Sequence, residues 1–147
     1  MFKITEISGN IFTASEEFSL AHCVGADLKM AKGIAVEFVK RFGQKEQLMK
    51  QNVRKGGVAV LKDGYRFIYY LVTKDLSYQP TTYETMYSSL HAMRTHMLTN
   101  GVNKLAIPRI GCGVDKLNWT KVKSQIEEVF KNDSIEIVVY NYIQNKN

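Results

Sequence analysis

Cysteine is almost absent from this 147-residue chain: only Cys23 and Cys112 occur. They are too few and too far apart for a disulfide framework or a Cys-x-x-Cys metal site, so a reducing compartment is expected. Proline is equally sparse, with Pro80 and Pro108 each falling where one element seems to end, and no Pro/Ser-rich linker, low-complexity tract or internal repeat divides the chain. No apolar run approaches the ~18 residues of a membrane span. The start, MFKITEISGNIF, lacks the basic lead and unbroken apolar stretch of a secretory signal. A soluble intracellular protein without membrane partners is expected. The three histidines are His22, His91 and His96. The first sits in an apolar run and reads as a core residue, and the other two, five apart on one helix, would not share a metal; no metal site is expected.

What is present is ordinary for a globular protein: 45% apolar, 23% charged and 11% aromatic residues. Length predicts one domain spanning 1–147. Twenty Lys and Arg against fourteen Asp and Glu leave a formal charge of +6, which favours anionic ligands without naming one. A basic run interleaved with aromatics on one element is missing, which argues against a nucleic-acid-binding module.

The periodicities predict an α/β chain. Alternation over Phe2–Ile7 predicts a strand entering a turn at Ser8-Gly9-Asn10, and Leu20–Val24 reads as a strand buried on both faces. From Met30, apolar residues at three-to-four spacing predict a helix stopped by Gly43, and 44–53 reads as a second short helix. Asp63-Gly64 between Val58–Leu61 and Arg66–Val72 is a strong hairpin signal, the second strand ending at Thr73-Lys74. Thr81 or Thr82 caps a helix with the stripe Tyr83, Met86, Tyr87, Leu90, Met93 and Met97, closed by Asn100-Gly101. A strand at Leu105–Ile107, a helix carrying Trp119, Val122, Ile126, Val129 and Phe130, and a strand at 135–142 complete the chain. Strands alternating with helices, plus one hairpin, give a mixed central sheet with helices on both faces.

In such sheets ligands collect beyond the carboxyl ends of the strands. Three loops leave those ends: Gly9-Asn10-Ile11, the segment 25–35, and Arg109–Asp115. Glycines at 111 and 113 let backbone N–H groups form an anion-binding concavity, although Gly-x-Gly is also a plain tight turn. Lys74 ends an apolar strand at the same edge. A lysine with a lowered pKa can attack a carbonyl carbon, and Asp115 could accept its proton. By residue chemistry alone Lys74 reads as a solvated strand end and Asp115 as a helix N-terminal charge. Cys23 and Cys112 read as buried thiols.

Taken together in order, Gly9-Asn10-Ile11-Phe12, Leu20-Ala21-His22-Cys23, Gly33-Ile34-Ala35-Val36, Ile68–Lys74, Pro80-Thr81 and Pro108-Arg109-Ile110-Gly111-Cys112-Gly113-Val114-Asp115 resemble a macrodomain. The combination is similar to the terminal ADP-ribose protein glycohydrolase subgroup, also called the O-acetyl-ADP-ribose deacetylase 1 subgroup, over nearly the whole chain. That resemblance implies a hydrolase that removes mono-ADP-ribose from acidic side chains of modified proteins and deacylates O-acetyl-ADP-ribose, without cofactor. Lys74 would attack the anomeric carbon and form a transient adduct, and Asp115 would accept the proton and help resolve it. Asn10, Ile11, Gly25, Gly33, Ile34, Arg109, Ile110, Gly111, Cys112, Gly113, Val114 and Tyr142 would line the ADP-ribose cleft. The implied partners are ADP-ribose and mono-ADP-ribosylated proteins, the chain acting as a monomer, nuclear and/or cytoplasmic if eukaryotic. Three residues depart from the usual pattern: Asn10 stands where many macrodomains have aspartate, Gly25 replaces a polar side chain, and Lys32 adds a positive charge. A binding-only ADP-ribose reader and a glycohydrolase acting on ADP-ribosylated DNA are the alternatives.

Overall fold

The computed structural model describes residues 1–113 and 115–142. Six strands, β1 (Lys3–Ser8), β2 (Ser19–Gly25), β3 (Gly57–Asp63), β4 (Arg66–Lys74), β5 (Lys104–Ile107) and β6 (Glu136–Asn141), form one sheet ordered β1-β6-β5-β2-β4-β3. Every neighbouring pair is parallel except β3 and β4. Five strands therefore deliver their carboxyl ends to a single edge.

The antiparallel pair follows from its turn. Gly64 takes φ +62°, the left-handed value that suits glycine, and Asp63 faces Arg66 across a two-residue loop. Between β1 and β2 lies only the short 3-10 turn Ile11–Thr13, and the remaining connections carry α-helices. α1 (Ile34–Phe42) and α2 (Lys45–Lys50) lie between β2 and β3, α3 (Tyr83–Thr99) between β4 and β5, and α4 (Trp119–Phe130) between β5 and β6.

Strand alternation sorts the core into two layers. On one face Tyr69 and Leu71 of β4 and Ile137 and Val139 of β6 meet the α3 stripe Met86, Leu90, Met93 and Met97 and the α4 residues Val122, Ile126, Val129 and Phe130. On the other, Ile68, Tyr70 and Val72 meet Phe38 of α1 and Leu48 of α2. A fully buried side chain of this kind is worth about 1.5–3 kcal/mol, so these faces, rather than helix propensity, hold the layers together.

Strand ends fall within two residues of the sequence reading, and two helices differ from it. The first helix begins at Ile34 rather than near Met30, because Leu28, Met30 and Gly33 all take left-handed φ angles (52°, 47° and 63°) that no helix accommodates. Leu28 and Met30 are buried, and their packing holds them in this unfavourable region. The second helix is shorter than 44–53, ending at Lys50. For α3 the cap is Thr82: its Oγ1 accepts from the Thr85 amide, while Thr81 turns inward to share a hydrogen bond with Thr73.

His22 on β2 is buried, as its apolar surroundings suggested. Its ring stacks on Phe38 at 3.8 Å between centroids, and neither nitrogen finds a hydrogen-bond partner. Burial pushes the imidazole down to about 3, so it is neutral at physiological pH.

Candidate active site

The carboxyl edge brings together two residues 41 positions apart. Lys74, the last residue of β4, donates from Nζ to Oδ1 of Asp115 at 2.7 Å. Both side chains are about one-tenth exposed. Two readings taken from residue chemistry alone are corrected by this contact. Lys74 is not a solvated strand end, since β4 is flanked on both sides and covered at its tip. Nor is Asp115 a charge in a helix's first turn: α4 starts at Trp119, capped by the Asn118 side chain accepting from the Lys121 amide, and Asp115 belongs to the preceding loop.

That loop is set by short-range backbone bonds. The Ile110 amide donates to Pro108, Cys112 to Arg109, and Leu117 to Gly111. Gly111 is favoured by its φ of +75°, and a Cβ there would also push on the flexible side-chain ends Met86 Cε (2.8 Å) and Leu117 Cδ1 (3.0 Å). Gly113 differs, because nothing lies within 4 Å of where its Cβ would be. Packing does not demand that glycine. Tyr83 anchors the far side of the loop, its hydroxyl accepting from the Asn118 amide at 2.9 Å.

The lysine's backbone is gripped as firmly as its side chain. The Ala26 amide donates to the Lys74 carbonyl at 2.8 Å, and the Asp27 amide to that of Asp75. Asp27 then returns a carboxylate that accepts from both the amide and hydroxyl of Ser77. Burial opposes the charge on Asp27, but the bonds from Ser77 and from the Lys29 amide outweigh it and hold the carboxyl below its ordinary range. Gly25 fits here because a Cβ would meet Asp27 Oδ1 at 2.9 Å and the Ser77 amide at 3.0 Å. Asp27 and Ser77 were missed by sequence reasoning, for two polar residues 50 positions apart carry no joint pattern.

No family model matches the chain. Human ADP-ribose glycohydrolase OARD1 is 48% identical over 138 residues, covering 94% of this chain and 91% of that protein. The chain belongs to the macrodomain family of ADP-ribose glycohydrolases. Among solved structures, the macrodomain of Thermus aquaticus DarG superposes with a TM-score of 0.85 at 26% identity, covering 96% of this chain and 99% of that one. Thermosipho africanus DarTG in complex with ADP-ribose gives 0.82 at 18% identity, covering 99% of this chain and 43% of that one, and attests the fold.

In this macrodomain the remaining residues expected at the cleft take varied positions. Asn10, Gly25, Gly33, Arg109 and Tyr142 all sit at or just beyond strand ends on the carboxyl edge or in its loops. The Asn10 side chain has a turn to hold, its Oδ1 accepting from the Phe12 amide. Ile11 and Ile110 are 2% exposed and spend their side chains in the core. Gly33 is the N-cap of α1 and Ile34 its first residue. Cys112 is half-buried and donates its thiol to the Ile110 carbonyl, while burial pushes both Cys23 and Cys112 thiols up, as expected of core thiols. Val114 lies outside the described residues.

Arg109 does not stand free at the edge. Its Nη2 approaches Glu6 Oε1 at 3.4 Å, and Glu6 also accepts from Trp119, Lys123 and Asn141. The Lys123 bond above all, against some burial, with help from Asn141 and Trp119, holds Glu6 below its ordinary range. Tyr142, just after β6, is largely exposed. Among the described residues no group of three or more His, Cys, Asp or Glu side chains could hold a metal ion, and no helix is long and apolar enough to cross a membrane.

Proposed function

We propose that the chain releases mono-ADP-ribose from acidic residues of modified proteins, and deacylates O-acyl-ADP-ribose, through a covalent adduct on Lys74. The observation that carries this reading is the 2.7 Å contact between Lys74 Nζ and Asp115 Oδ1 at the mouth of the parallel sheet, in a chain nearly half identical to a protein named ADP-ribose glycohydrolase. A nucleophile and its proton acceptor within hydrogen-bond reach are the arrangement that nucleophilic catalysis needs.

Lys74 must shed a proton to attack. Asp115 takes it, and the freed Nζ lone pair bonds to the anomeric carbon of the distal ribose. The bond from that carbon to the ester oxygen breaks, and the acceptor carboxylate departs with the electron pair. Asp115 passes that proton on to the leaving carboxylate and, ionised again, removes one from water, whose oxygen bonds to the same carbon as the carbon–nitrogen bond breaks; Nζ leaves with the electron pair and takes the proton from Asp115. A dry environment sharpens each exchange, because charge moving between two shielded groups is poorly screened by water.

In this reading Asn10, Ile11, Gly25, Gly33, Ile34, Arg109 to Asp115 and Tyr142 line the cleft. The adenosine end lies near β1 and β6 and the pyrophosphate near the glycine loop. The setting is intracellular, with both cysteines as thiols and the enzyme acting as a monomer. The test is parallel incubation with glutamate-linked, serine-linked and DNA-linked ADP-ribose, following release by mass spectrometry. Release from glutamate is expected. Release from DNA alone would transfer the activity to nucleic acid, and tight ADP-ribose binding with no release from any substrate would make the chain a reader.

A further inference from the structure

β4 does not run to Lys74 without interruption. It pairs with β2 in step from Leu20 opposite Ile68 to Val24 opposite Val72, and then Gly25 pairs with Lys74, so Thr73 is an extra residue with no partner on β2. An insertion of this kind is a β-bulge, which bends its strand and redirects the side chains that follow. Alternation alone would send Lys74 to the same face as Ile68, Tyr70 and Val72, where Phe38 and Leu48 lie. Its Nζ instead reaches Asp115, in a loop whose Ile110 and Leu117 pack on the opposite, α3–α4 side of the sheet. The change of side follows the slip in register.

A bulge takes groups out of the ladder, and here they find partners on both sides. From α3, Thr85 Oγ1 donates to the Thr73 carbonyl at 2.7 Å, and Thr81 shares a hydrogen bond with the Thr73 hydroxyl at 2.8 Å. From the β2 side, the Ala26 amide holds the Lys74 carbonyl and the Asp27 amide that of Asp75. Beyond those bonds the chain turns outward, with Asp75 and Leu76 exposed. Asp27 is the side chain that ties this exit back to β2: its carboxylate accepts from the Ser77 amide at 2.8 Å and from the Ser77 hydroxyl. Gly25 places no Cβ in the space where that carboxylate and the Ser77 amide meet.

We infer that Asp27 is a positioning residue for the reaction: through Ser77 it fixes the exit from the bulge, and so the direction in which Lys74 presents Nζ to Asp115 and to the anomeric carbon. The assignment rests on the functional reading above. Lysine carries its amine on a flexible four-carbon stem, so a small rotation of the strand end is amplified at Nζ. A misplacement of about 1 Å at a reacting group can cost on the order of 10²-fold in rate. Asp27 bonds to Ser77 and to the Lys29 amide rather than to Lys74 Nζ, so its effect passes through the backbone.

The test separates rate from binding and from stability. Turnover is followed on the linkage that the wild type releases, glutamate-linked ADP-ribose being expected, with Asp27→Ala, Asp27→Asn and Ser77→Ala. Beside them stands Asp133→Ala, which breaks the Arg94–Asp133 pair near the amino ends of the strands. Asp27→Ala should lower kcat by about 10–100-fold, with KM and the calorimetric affinity for free ADP-ribose within about twofold of the wild type. Asp27→Asn still accepts from the Ser77 amide and should stay within about threefold of the wild-type rate. Ser77→Ala keeps the amide bond and loses the hydroxyl one, so its kcat should fall between the two, and it carries the same test should Asp27→Ala fail to fold. Asp133→Ala should lower the urea midpoint at least as far as Asp27→Ala and leave kcat unchanged. An active wild type with Asp27→Ala equally fast overturns the assignment, as does a kcat that falls with stability in Asp27→Ala and Asp133→Ala alike. A loss that appears in KM, or that Asp27→Asn does not rescue, overturns it in favour of a direct binding or electrostatic role. A wild type that releases ADP-ribose from no substrate overturns the hydrolase reading and the positioning role with it, an outcome distinct from all of these.

Discussion

The two ends of the sheet's carboxyl edge handle charge in opposite ways. At the β4 end, one ammonium meets one carboxylate, both about one-tenth exposed, and the backbone beneath is fixed by Ala26, Asp27 and Ser77. At the β1–β6 end, Glu6 gathers Arg109, Trp119, Lys123 and Asn141 in a loose hub whose arginine is 51% exposed. Exposed ion pairs contribute about 0–1 kcal/mol, whereas removing one partner of a buried pair costs about 3–5 kcal/mol. The difference is one of shielding: in the functional reading proposed above, the group that exchanges a proton is dry and has one partner, while the cations at the other end stay wet and shared.

The largest effect should come from the shielded end. Lys74→Arg keeps the charge but replaces a nucleophile with a guanidinium that stays protonated, so release of ADP-ribose should fall by about 10³-fold or more while ADP-ribose affinity by calorimetry holds. In the wild type, borohydride should trap free ADP-ribose on Lys74, visible by peptide mapping. An active Lys74→Arg enzyme with no wild-type adduct would leave Asp115 activating water directly. Asp115→Ala should cut hydrolysis by about 10²–10⁴-fold with Lys74 still able to form the adduct. It should also lower urea stability by about 3 kcal/mol, partly restored by adding Lys74→Met, because an apolar replacement removes the stranded charge.

The glycine loop sharpens the contrast within a few residues. Gly113→Glu should weaken ADP-ribose binding by about 10–100-fold through bulk and like charge, with the melting temperature unchanged since its surroundings are open. Gly111→Ala should do the reverse and destabilise the fold, given its left-handed φ and the contacts with Met86 and Leu117.

His22 supplies the case of a buried titratable group with no partner. Its folded value near 3 lies below the ordinary 6.5, so between those values the unfolded chain binds the proton and the folded one does not. Stability therefore falls as pH drops from about 6.5, by about 2 kcal/mol on reaching pH 5. Urea midpoints at pH 7 and 5 should show this slope in the wild type and lose most of it in His22→Leu, the remainder belonging to His96, which burial also pushes down. The smallest effect belongs to the wet end: Arg109→Ala should cost under about 1 kcal/mol in the same titration.

How much of this was readable beforehand depends on distance along the chain. The hairpin, the caps of α3 and the helical stripes follow from neighbours within a few residues, and all lie where periodicity put them. Lys74 and Asp115 were singled out by resemblance, yet their burial was not readable, because it depends on which loops close over the sheet edge. The start of α1 was misplaced since apolar spacing does not reveal that Leu28 and Met30 are left-handed. The burial of the Ile11 and Ile110 side chains was not readable either, because a short loop pattern does not say which of its residues turn into the core. Glu6 as the counter-ion of Arg109 was invisible for the same reason as the Asp27–Ser77 lock: the partners lie 103 and 50 positions apart and share no joint pattern.

The parallel pairing of β1 with β6 also orders the protein's assembly in time. Of the six strands in this sheet β1 is synthesised first and β6 last, and β6 is the neighbour that joins β1 to the sheet. At about 5–20 residues per second, the first strand waits on the order of ten seconds for its template to leave the ribosome. The four strands β5-β2-β4-β3, with Lys74 among them, can meet earlier. The part of the sheet that carries Lys74 can thus form before β1 and β6 join it, with two open edges: the outer side of β3, which stays an edge, and the side of β5 that β6 will fill.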